Sequence, residues 1–312
     1  MSFAEPRKII KIGEKSLAVT LPKKWIKQLG LKPGDTVSLI IDKTGIIMIF
    51  VDNRSSTEYS STHIVLDASG LSPETIITYI RAEYTSAIDR LIIRNVDKNK
   101  LINSLSEVSR ILPGSFILES EPNTLTVKIA LSEETIDIDE LITRIMQTII
   151  LVIESYKTGK QMSGLLNNLY EETLYLANSG LRILEKKIRS QQMRPLAMIQ
   201  AFESMLILQY LALISSNLVE FLREYDRSGE NDHYMEILEI LHRMLVRIYR
   251  GLLRKPDLRL VEKIKNDLIE LDKMVKKYED SGAELCRLLV ISSMLENLLD
   301  VIVHRHISIQ LI

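Results

Sequence analysis

From Ile136 to Ile312 the apolar residues recur at helical spacing, and this run limits the fold more than any other feature of the chain. Breakers at Thr158-Gly159, Arg194-Pro195, Ser228-Gly229, Pro256 and Ser281-Gly282 cut it into six helices, at about 136–157, 162–191, 194–224, 231–251, 257–279 and 282–306. They fall into two sets of three, which predicts two similar bundles packed side by side. Leu196–Leu222 is apolar enough to raise the question of a membrane. Gln200, Glu203, Gln209 and Glu220 would be costly in hydrocarbon, and amphipathic neighbours can cover the segment. It reads as a buried bundle helix, with no stable membrane insertion.

Upstream the apolar period is two and the segments are short. Arg7–Ile12 and Leu17–Leu21 read as strands around a turn at Gly13-Glu14-Lys15-Ser16. Pro22 suits the first position of a short helix, Lys23–Leu29, with Thr20 as a cap and Gly30 as its stop. Pro33-Gly34-Asp35 turns into a strand carrying Val37, Leu39 and Ile41. Lys43-Thr44-Gly45 turns into Ile46–Val51. About 45 residues hold too little core to stand alone, so this unit calls for a homodimer that pools two half-cores.

Asp52–Ser61 is a polar, serine-rich stretch, read as a linker over 52–62. Residues 63–131 then alternate strands and helices. His63–Leu66, Leu91–Arg94, Ser115–Ser120 and Leu125–Ala130 are the strands. Ser72 caps a helix that starts with Pro73, and Lys98–Ile111 is a second helix. The order βαβαββ predicts a small sheet with helices on one face, placed as a spacer or dimerisation layer. Asp67 and Asp89 are isolated acids near turns, the usual place of a cap. The fold class is therefore multidomain α+β: residues 1–51, a linker at 52–62, a small α/β segment at 63–131 and a six-helix part at 132–312.

Charge is distributed unevenly. Residues 1–50 hold nine Lys or Arg against four Asp or Glu, while the whole chain is −1, so residues 51–312 sum to −6. A small basic module joined to an acidic body suits a polyanion reader coupled to a receiving part. Seven of these cations, Arg7, Lys8, Lys11, Lys15, Lys23, Lys24 and Lys27, stand around two strands, one turn and one helix start. Doubled in a dimer they give a strongly salt-dependent phosphate contact, and Arg7 is the best candidate for a base edge. Trp25 reads as core, packed on Ile26 and Leu29. The single cysteine, Cys286, excludes an internal disulfide, fits a reducing, cytoplasmic setting and lies among leucines as a core thiol. No nucleophile triad or phosphate-cradling glycine loop appears, which disfavours an enzyme.

Lys11-Ile12-Gly13, Leu21-Pro22-Lys23, Trp25-Ile26, Leu29-Gly30-Leu31 and Gly34-Asp35 together resemble the AbrB/SpoVT/MazE-type swapped-hairpin domain, in particular its archaeal branch. The resemblance implies a two-chain β-barrel that binds duplex DNA. The helical half resembles the PhoU family of paired three-helix bundles. That family carries Glu/Asp-x-x-x-Asp motifs whose carboxylates share a helix face and hold multinuclear metal through hard oxygen ligands. Glu296 and Asp300 keep the full motif. Glu203, Glu172 and Asp267 keep its first acid, and Ile207, Leu176 and Leu271 stand where the second would be. The resemblance thus implies a reduced acidic site for a divalent or ferric metal. Together the two resemblances imply a cytoplasmic regulator of phosphate uptake, with duplex DNA, a second copy, and a phosphate-transporter component or sensor protein as partners. An antitoxin-like or scaffolding protein, whose helical half binds a protein partner, is the alternative.

Overall fold

A computed structural model describes residues 6–13, 16–41, 47–51, 63–121, 123–131, 136–159, 164–189, 195–228, 232–254, 257, 259–277 and 284–310. Lys15, the turn at Lys43-Thr44-Gly45, the 52–62 linker, Pro122 and several helix breakers lie outside them, as does the side chain of Cys286. The chain divides into two compact units, Met1–Ser60 and Ser61–Ile312.

In the first unit β1 (Ile9–Ile12) pairs antiparallel with β2 (Ser16–Val19), and β3 (Val37–Ile41) with β4 (Ile47–Val51). Each pair forms its own two-stranded sheet. Between them lies α1 (Lys23–Leu29). Pro22 sits one position earlier than expected, at the N-cap, with no side-chain cap bond, so Thr20 does not cap the helix. Gly30 adopts φ 66°, and the Leu31 N–H reaches back to the Ile26 carbonyl at 3.0 Å, the left-handed stop that glycine permits without strain. Trp25 and Ile26 are half-buried.

The second unit begins with a four-stranded sheet of β5 (His63–Asp67), β6 (Arg90–Arg94), β7 (Ser115–Glu121) and β8 (Thr124–Ile129), in the order β5-β6-β8-β7. β5 and β6 run parallel, as a crossover through α2 (Pro73–Thr85) requires, and the other pairings are antiparallel. Ser72 caps α2 by accepting from the Thr75 N–H, with Pro73 in the first turn. α3 (Lys98–Ile111) follows β6. Alternation along the strands turns Leu91, Ile93, Leu125, Val127 and Ile129 onto the core with Ile76, Ile80 and Leu101 of the helices. Their neighbours in sequence form the sheet's other face. At the hairpin base Gly114 has φ 67°, and a Cβ there would lie 2.8 Å from the Ala130 carbonyl oxygen.

Six helices follow: α4 (Ile138–Lys157), α5 (Leu165–Arg189), α6 (Pro195–Ser228), α7 (Asp232–Ile248), α8 (Arg259–Lys277) and α9 (Glu284–Gln310). One turn of π-helix, Tyr249–Arg254, extends α7. α4, α5 and α6 contact one another, α8 contacts α7 and α9, and α6·α9 and α4·α7 contacts join the two sets. A single hydrophobic core runs through all six helices rather than one core per set. Leu196–Arg227 is long and apolar enough to cross a membrane by length and composition. In this fold its Ile207, Leu208, Leu211, Ile214 and Leu218 are core residues between α5 and α9.

α5 carries the connection to the sheet layer. Leu174 belongs to the smaller core, and Tyr170 packs against both cores. Arg182, 1% exposed, donates to the Tyr84 carbonyl at 3.0 Å, the Ile88 carbonyl at 2.9 Å and the Asp89 carboxylate at 2.6 Å. Its guanidinium carbon lies 5.2 Å from the centre of the Tyr84 ring. One turn earlier, Asn178 donates to the Ile111 carbonyl at 2.9 Å. Asp89 is therefore a buried arginine's counter-ion and not a cap.

Candidate nucleic-acid interface

The first unit presents its cations outward. Arg7 and Lys8 precede β1, Lys11 lies on it, and Lys23, Lys24 and Lys27 lie on α1; all six are exposed. No pair among these residues is buried or desolvated, so their pull on a polyanion acts through solvent and falls with salt.

Ile9, Ile10, Ile12, Leu17, Val19, Leu39, Ile47 and Ile49 are also exposed, at 37–70% of their surface. On the β1–β2 hairpin these apolar side chains occupy both faces, because Ile9 and Ile10 point to opposite sides. A two-stranded hairpin exposed on both faces is marginal in water. Covering eight such side chains at about 1.5–3 kcal/mol each would add on the order of 10 kcal/mol or more per chain.

The five carboxylates expected around a metal are held in separate arrangements. Glu172 accepts from Arg144 Nε at 2.8 Å. Asp267, 5% exposed, is clamped by Arg243 Nε at 2.9 Å and by Arg247. Burial works against the Arg243 charge, and Asp267 and Glu270 more than offset it, so its pKa is raised. Glu203, also 5% exposed, accepts from His304 Nδ1 at 2.6 Å and from the Ser308 hydroxyl at 3.0 Å. The other Glu203 oxygen is buried without a hydrogen-bond partner.

Glu296 and Asp300, which keep the full acidic motif, are both exposed. Their helix, α9, packs through Leu288, Ile291, Leu295, Leu298, Leu299 and Ile302, which leaves positions 296 and 300 outside the buried arc. Among the described residues, no three His, Cys, Asp or Glu side chains gather where a metal could be held. The residue types fit hard-metal chemistry, but the arginine clamps already neutralise Glu172 and Asp267.

The His304 side chain is 69% exposed, yet its Nδ1 is tied to Glu203 across 101 positions, a pairing without local signal. Asp67 accepts from the Ser69 hydroxyl, from Asn95 and from the Ser69 N–H, which together pull its pKa down to about 2. It organises the β5–α2 turn.

Residues 10–52 match the family model of MazE, described as antidote-toxin recognition, bacterial antitoxin. The N-terminal domain is of the MazE/AbrB type. The matched span runs from β1 through β4 and takes in Lys11, Lys15, Lys23, Lys24 and Lys27. Neither a curated protein nor a solved structure matches the chain.

Proposed function

We propose that this chain is a cytoplasmic, homodimeric DNA-binding transcriptional regulator. In this reading residues 1–51 form the reader, 52–62 a linker, 63–131 the α/β layer and 132–312 a receiving or partner-binding domain. The observation that carries it is the coincidence, on one small MazE/AbrB-type unit, of six exposed cations and eight exposed apolar side chains. The apolar set calls for a second copy completing a swapped-hairpin barrel, and the cations double with it. Lysines supply phosphate contacts, and Arg7 is the candidate for base readout.

The link to phosphate uptake, and to a transporter component or sensor as partner, rests on the resemblance of the helical half to PhoU. The ion-paired Glu172 and Asp267 weigh against an inherited metal cluster, and no catalytic residue is assigned.

The test is duplex binding by the full chain across a salt series. We expect log affinity to fall linearly with log salt, and Lys23→Glu with Lys24→Glu, four lysines in the dimer, to weaken binding at least tenfold and flatten the slope by about 3–4. Negligible duplex affinity at low salt would sink the proposal. The antitoxin-like reading would then lead. It is favoured by the match to an antitoxin family and by Ile199, Phe202, Leu206 and Leu213, exposed at 42–50% at helical spacing along α6.

A further inference from the structure

The sheet of the second unit buries one face under helices and leaves the other open. Strand register sets that open face in rows. His63 pairs with Arg90, Arg90 with Lys128, and Lys128 with Phe116, one residue from each of the four strands. All four are exposed, Phe116 at 54%. The adjoining row is Val65, Ile92, Thr126 and Leu118; Val65 and Leu118 at its ends are exposed at 46% and 50%, while Ile92 is half-buried and Thr126 is 3% exposed. Arg94 stands in the third row, opposite Asp67.

Arg90 and Lys128 are directly opposed cations on neighbouring strands, an arrangement that destabilises a sheet unless an anion lies between or above them. Asp89 lines the same cavity as these two cations, and Arg182 already holds its carboxylate. Asp67 lies in the third row and is committed to Ser69 and Asn95. A cavity of about 380 Å³ opens here, lined by Asp89, Arg90, Leu118, Thr126, Lys128 and Ile129. The face thus offers two adjacent cations, Arg90 and Lys128, flanked by the His63 imidazole and the Phe116 ring, beside an apolar strip.

We infer that this open face binds single-stranded nucleic acid, separately from the duplex contact proposed for the first unit. Strands lie about 4.8 Å apart, so the row spans roughly 14 Å, longer than one phosphate group. Phosphates lie over Lys128, Arg90 and His63, and a base stacks on Phe116 with the sugar edge on Leu118. A positive track with an aromatic platform is the physical basis of sequence-tolerant single-strand binding.

The test uses the full chain, a fluorescent fifteen-nucleotide thymidine strand and anisotropy at low salt. We expect saturable binding. Phe116→Ala should weaken it roughly 5- to 100-fold. Arg90→Glu and Lys128→Glu should each weaken it at least tenfold and lower the salt slope by about 0.7 or more. Duplex binding should be unchanged in all three, and Lys23→Glu with Lys24→Glu should leave single-strand binding intact. These arms separate this inference from the duplex reading. Four results would overturn it: no single-strand binding, no effect of the sheet variants, loss of both activities together in the lysine variant, or equally tight binding of a mononucleotide. If Leu118→Arg dissociates a dimer in sedimentation while strand binding persists, the face belongs to a second copy and the inference also fails.

Discussion

Arg182 is the residue on which the second unit turns. It is nearly inaccessible, and its guanidinium meets two carbonyls and one carboxylate from the sheet layer. Replacing it by Met would remove those donors and leave Asp89 to the more distant Lys186, whose Nζ lies 4.0 Å away. We expect Arg182→Met to cost about 3 kcal/mol, seen as a lower urea midpoint at unchanged slope. Lys at the same position keeps the charge without the planar fork and should recover only part of the loss. An unchanged midpoint for Met would show that the bridge adds nothing. Neither Arg182 nor its link to Asp89 was legible in the sequence. An arginine inside a leucine-rich helix looks like any solvated residue until its partner, 93 positions away, is known. The same blindness applied to Glu203 and His304. Asp67 was easier, because an acid followed two residues later by serine before a capped helix announces a turn.

At the scale of elements the sequence spoke more clearly. α1 and α3 have the bounds read from the sequence; Gly30 marks the end of the first, whereas the Asp97 side chain that opens the second by accepting from the Asn99 N–H was not singled out there. Ser72-Pro73 likewise sets the start of α2. The helical period located all six later helices, but could not say that they share one core. Nor could it show that α9 turns Glu296 and Asp300 to solvent, because its apolar residues occur on more than one face. The β7–β8 hairpin depends on a single backbone position. Gly114→Ala should destabilise the second unit by about 1–3 kcal/mol in thermal or urea unfolding, through both the positive φ and the approach of the Ala130 carbonyl. A neutral result would mean that the hairpin base shifts freely.

For the whole molecule, the contrast between the two units is the informative fact. The second buries large cores, whereas the first leaves isoleucine, leucine and valine in water. If a second copy covers them, the full chain sediments as a dimer, and Leu17→Glu weakens that association at least tenfold while the far-ultraviolet helical signal holds. A monomeric wild-type chain at micromolar concentration would refute self-association through this unit.

The dual membership of α5 has a mechanical corollary. Its Leu174 belongs to the core beneath the sheet, while Leu176, Ala177 and Leu181 belong to the core of the bundle. A displacement of that helix drags the carbonyls of Tyr84 and Ile88 with it, so the sheet moves as a rider on an axle and not as a flap on a hinge.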